Sequence, residues 1–164
     1  MKILFCDIDG VLCPHGSCRS VSMNAEEITR SVIEATGNDA YAYLDPRDVA
    51  AVALDWDPRS AAILRGVLER TGAALVVESD WRDGLDIDEL ELLFALHGIE
   101  IAGCVGSGEK TDAITTYLEK HSDVAEWCVV DDTDLGFEEH QVKPVGDGFG
   151  WIDALKAIRI LGGG

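Results

Sequence analysis

Asp7 and Asp9 stand two residues apart in FCDIDGVL, at the end of a short apolar run, with Gly10 directly after them. At that spacing in a strand-like segment both carboxylates lie on one side of the chain, and Gly10 permits a sharp turn away that leaves them open. Ser79 follows a second apolar run in ALVVESDWR. Lys110 opens a helical pattern after the loop from Gly106 to Gly108, and Asp131 and Asp132 close another run in EWCVVDD. Brought together, the four acids would repel one another, and a divalent cation is the ordinary remedy. Hard oxygen ligands with room for water favour magnesium. One carboxylate of such a set can attack phosphorus while another gives a proton to the leaving oxygen, so that displacement passes through an aspartyl-phosphate. Magnesium and Lys110 would neutralise charge on the transferring group, and Ser79 can donate a hydrogen bond to its oxygens.

The elements that must position these residues are legible as an alternation. Residues 2–6 read as a buried strand, and 74–78 as a second. Residues 99–105, IEIAGCV, read as a weaker third strand, 126–130 as a strong fourth, and 141–145 as an edge strand. Between them the spacing predicts helices: one from Asp57 and Pro58 to a stop at Gly72, one over 88–97 stopped by Gly98, one over 110–120 and a last one over 151–161, ahead of the terminal glycines. Asn24 with Glu27 resembles a capping box and opens a helix through Ile28, Val32 and Ile33. It lies in a stretch, 13–57, whose pattern is otherwise loose and which reads as an insertion after the first strand. That insertion is expected either to cap the cleft or to pack elsewhere. Short apolar strands alternating with amphipathic helices predict an α/β, Rossmann-like parallel sheet covered by helices on both faces, in one domain of 164 residues. In such sheets ligands gather beyond the carboxyl ends of the strands, where all six singled-out residues fall.

FCDIDGVL, LVVESDWR, Lys110 at a helix start and CVVDDTD resemble, in order, the four motifs of the haloacid dehalogenase superfamily. The SDWR and DD elements and the closing GWIDAL helix are similar to small domains of that superfamily found in RNA-repair proteins. The resemblance implies that Asp7 is nucleophile and metal ligand, and that Asp9 is general acid and base and lends its carbonyl to the metal. It further implies that Asp132 is the main ligand of the fourth motif, with Asp131 beside it. Two points depart from the pattern. Glu78 stands where relatives often carry a small hydroxyl residue, adding an acid near the phosphate pocket, and Lys143 is a rival to Lys110 as the third-motif cation. The expected activity is a magnesium-dependent phosphomonoesterase. The alternatives are a receiver-like phosphoacceptor, whose motif order differs because its acceptor aspartate follows a middle strand, and a catalytically silent phosphate-binding domain.

Composition narrows the partners. With 13 basic and 31 acidic residues the formal net charge is −18, which opposes extended nucleic acid and anionic membrane but leaves room for a small phosphorylated substrate or a nucleotide end. The same charge is read equally as solubility or adaptation to high salt. Five cysteines, an odd number with several in apolar runs, point to reduced thiols and a cytoplasmic setting. The apolar start is too short for a signal peptide, and no run could span a bilayer. Cys13, His15 and Cys18 lack the second pair that a zinc site needs. GCVGSGEKT is no nucleotide-binding phosphate loop, because Glu109 separates Gly108 from Lys110. Asp134 reads as a surface turn residue, and His15, His97, His121 and His140 are assigned no role. Trp81 and Arg82 either touch substrate or pack on the sheet edge with the arginine paired to an acid.

Overall fold

The computed structural model describes residues 1–162. Five parallel strands form one sheet in the order β3-β2-β1-β4-β5: β1 Lys2–Cys6, β2 Ala74–Val77, β3 Gly103–Cys104, β4 Glu126–Val130 and β5 Gln141–Val142. Ile3 through Cys6 of the central β1 are fully buried, which a strand covered on both sides requires. Side chains alternate strictly. Ile3, Phe5, Val76 and Val129 face one layer, and Leu4, Cys6, Leu75, Val77, Cys128 and Val130 face the other.

The first layer is helix α5, Lys110–Lys120, whose Ala113 and Ile114 meet the sheet. Tyr117 and Trp127 pack edge-on against Phe5 at 5.4 and 6.3 Å. The second layer holds α3, Pro58–Thr71, α4, Ile87–Ala95, and α6, Trp151–Ile160. Helix α3 begins where Asp57 caps the Arg59 amide, with Pro58 in the first turn, and ends at Gly72 in the left-handed region. Helix α6 ends two residues before the limit of the described chain, so the expected fraying into Gly163 and Gly164 lies outside the described residues.

The stretch 13–57 is helical. Short 3-10 turns at Arg19–Ser22 and Asp39–Tyr43 alternate with α1, Ala25–Thr36, and α2, Pro46–Asp55. Only half of the capping box at Asn24 forms: its side chain accepts from the Glu27 amide at 3.3 Å. Tyr41, Leu44, Val49, Val52 and Trp56 belong to the same core cluster as the sheet. The Tyr41 hydroxyl donates to the Leu92 carbonyl at 2.9 Å, and His97 Nε2 meets the Val52 carbonyl at 2.9 Å. The insertion therefore packs on the flank that α4 provides, and the Ser20 amide and hydroxyl both bond the buried Asp55.

Two expected strands are shorter than the sequence implies. Of 99–105 only Gly103 and Cys104 join the ladder: Ile99 is buried and Ile101 packs against the core, so burial rather than strand pairing explains their apolar character. Of 141–145 only Gln141 and Val142 pair with β4, since Pro144 has no amide hydrogen to give.

Candidate active site

The chain steps outward from β1 to β2 and β3, then returns to place β4 on the other side of β1. That reversal opens a crevice at the carboxyl ends of β1 and β4. Asp7, directly after β1, and Asp131 and Asp132, directly after β4, line it. Each offers a carboxylate oxygen within 4.8 Å of the others.

Lys110, the first residue of α5, reaches into this cluster. Its Nζ lies 2.9 Å from Asp7 Oδ2, 2.7 Å from Asp131 Oδ2 and 3.4 Å from Glu78 Oε2. The expected rival, Lys143, is exposed. Asp131 is fully buried and accepts from the Thr133 amide and hydroxyl at 2.6 Å each. Burial alone would raise its carboxyl, but Lys110 and Thr133 hold it below its ordinary range. Asp7 accepts from the Ile8 amide at 2.8 Å. Its burial outweighs Lys110 and moves its carboxyl up. For Lys110 the order is reversed: burial works against its charge, and the surrounding acids more than offset that and raise it.

Glu78 and Ser79 directly follow β2, and Glu78 reaches the same lysine. Both Glu78 oxygens and Ser79 Oγ are buried without a hydrogen-bond partner among the described residues. Burial, with the Asp131 charge beside it, pushes the Glu78 carboxyl up to about 9, which favours its protonated form. A buried hydroxyl left without a partner just beyond a strand end is the feature expected of a donor whose acceptor arrives with a ligand.

Asp9 is exposed, in contrast to Asp7, and its Oδ2 accepts from Trp81 Nε1 at 3.1 Å. Its side chain lies outside the three-carboxylate cluster. Gly10, at φ 75°, turns the chain directly after Asp9. Its missing side chain matters: a Cβ there would fall 2.5 Å from Asp132 Cγ and 2.8 Å from His15 Nε2. His15 Nε2 meets Asp132 Oδ2 at 2.6 Å, and that contact raises the imidazole pKa. Arg82 is a structural residue. Its buried guanidinium donates to the carbonyls of Glu78, Gly106 and Gly108 at 2.8, 3.0 and 2.6 Å, tying the end of β2 to the loop that carries Lys110.

His15, Trp81 on Asp9, and the Arg82 anchor were not assigned from sequence. For Arg82 the sequence offered substrate contact or an acid partner, and the guanidinium instead bonds mainly carbonyls, with Asp80 at 3.5 Å. His15 gave no signal, because its contact is with a residue 117 positions away. Asp134 caps its own turn by accepting from the Gly136 amide at 3.0 Å, as a turn residue should.

The three carboxylates fit a divalent cation. Lys110 is shared between two of them, the missing side chain of Gly10 makes room for the third, and the donor set is all oxygen.

Residues 3–145 match the family described as the HAD domain in Swiss Army Knife RNA repair proteins. The chain therefore belongs to the haloacid dehalogenase superfamily, and its five-stranded parallel sheet is Rossmann-like. Among solved structures it is similar to a haloacid dehalogenase-like hydrolase from Streptococcus pneumoniae, at 17% identity and a TM-score of 0.47, over 96% of this chain and 90% of that one. No curated protein matches it. No helix among the described residues is long and apolar enough to cross a membrane.

Proposed function

We propose that the chain is a magnesium-dependent phosphomonoesterase working through an aspartyl-phosphate on Asp7. The observation that carries this is the single cation Lys110 bridging Asp7 and Asp131 at a crevice whose third acid is Asp132. Asp7, Asp131 and Asp132 would hold the ion with their side chains, and the resemblance adds the Asp9 carbonyl. Bound there, magnesium supplies positive charge that offsets the phosphoryl oxygens and favours the anionic form of Asp7.

Asp7 attacks phosphorus, the bond from phosphorus to the leaving oxygen breaks, and Asp9 gives its proton to that oxygen. Asp9, now a carboxylate held by Trp81, takes a proton from water. The resulting oxygen attacks the same phosphorus and frees Asp7 with inorganic phosphate. Lys110 and the unpartnered Ser79 hydroxyl bind the transferring oxygens. A neutral Glu78 adds no charge against the phosphate.

The acidic exterior favours a small phosphorylated metabolite or a nucleotide end over an extended nucleic acid, and the family's description supports the nucleotide end. A cytoplasmic setting fits five cysteines that are all free. Purified protein with p-nitrophenyl phosphate and magnesium should release nitrophenol, and Asp7→Asn should not. Equal release by both would sink the proposal. Phosphate retained stably on Asp7 would support the phosphoacceptor reading instead, and neither release nor labelling would leave a silent phosphate-binding domain.

A further inference from the structure

The three acids of the crevice are not held equally. Asp7 is fixed by Lys110 and the Ile8 amide, and Asp131 by Lys110 and both donors of Thr133. Asp132 has neither a lysine nor an amide. Its one side-chain partner among the described residues is His15 Nε2, at 2.6 Å. Left alone, a carboxylate with its side chain 28% exposed would sample several rotamers, and any ligand binding it would have to stop that motion.

His15 is itself placed for the contact. Its backbone amide donates to Asp147 Oδ1 at 3.0 Å, in the loop before α6. That loop is stitched to the segment after β1, since the Phe149 amide donates to the Val11 carbonyl at 2.8 Å. Gly10 supplies the room beneath, because a Cβ there would strike both Asp132 and the imidazole. With Nε2 on one oxygen of Asp132, the second oxygen is left for a ligand. A group that bonds a metal-binding residue from outside, and so fixes its orientation, governs metal affinity without touching the metal.

We propose that His15 is a positioning residue for the divalent cation, holding Asp132 in the orientation that completes the set with Asp7 and Asp131. The inference rests on the cation reading above. Its test needs no turnover: magnesium and manganese binding by titration calorimetry on the full chain, without substrate, for the parent, His15→Ala, His15→Gln and Asp132→Asn. The alanine variant should bind about 10- to 100-fold more weakly, and Asp132→Asn more weakly still. Glutamine, whose amide can donate to the same oxygen, should recover most of the loss. The imidazole is well exposed, so unfolding temperatures in metal-free buffer should agree between parent and both His15 variants. A parent that binds while His15→Ala binds equally well or more tightly overturns the assignment, as does a glutamine variant no better than alanine. A parent that binds neither ion overturns the cation reading itself, and this inference with it.

Discussion

Lys110 bridges Asp7 and Asp131, so its removal takes away the cation those two buried carboxylates share. Lys110→Ala is expected to lower kcat/KM for p-nitrophenyl phosphate by roughly 100-fold or more, measured at saturating magnesium. Glu78 yields a pH prediction of definite sign. Its carboxyl stands near 9 in the folded chain against an ordinary 4.5, so the folded state keeps a proton that the unfolded state loses. The resulting stability is fully present below pH 4.5 and is lost as pH rises through about 9. Glu78→Gln cannot lose it. Urea denaturation at pH 5 and pH 8 should show the variant gaining on the parent as pH rises, by on the order of a few kcal/mol. A constant difference between the two pH values would refute the assignment. Gly10→Ala forces a side chain into the space of Asp132 and His15 at a left-handed backbone position. It should destabilise the fold by roughly 1–3 kcal/mol, read by the same denaturation. The acids, Ser79 and Lys110 were legible in sequence because each sits at a strand or helix end, where periodicity stops. His15 and Trp81 were not, because their roles arise from partners brought near only by folding.

At the level of elements, helices α3, α5 and α6 and the first two strands could be read from spacing and caps. Helix α2 was missed although Asp45 and Pro46 mark its start, because its buried face is built from Val49, Ala50 and Val52, too small to stand out in a loose stretch. Helix α4 starts one residue ahead of expectation, at a complete capping box of Asp86 with Glu89. The expected third strand was overread because the apolar residues Ile99 and Ile101 serve the core without pairing. Arg82 shows how one element steadies another. Its guanidinium satisfies three carbonyls, two of them in the loop that leads to α5. Arg82→Ala should cost on the order of 2–4 kcal/mol. Arg82→Lys should recover little, since an ammonium cannot reach three acceptors in a planar fork. Equal denaturation midpoints for lysine variant and parent would contradict this.

Across the whole molecule the charge of −18 sets a self-repulsion that folding must overcome. Screening relieves it. Raising sodium chloride from about 0.05 M to about 0.5 M should lift the unfolding temperature by a few degrees, checked by scanning fluorimetry. A temperature that is flat or falling with salt would mean the acids are spread too widely to matter. The two outer strands, β3 and β5, each pair over two residues only. A neighbouring molecule meeting either rim would find too few free amides and carbonyls to extend the ladder, so this open sheet resists growing into fibrils or strand-exchanged pairs at its margins.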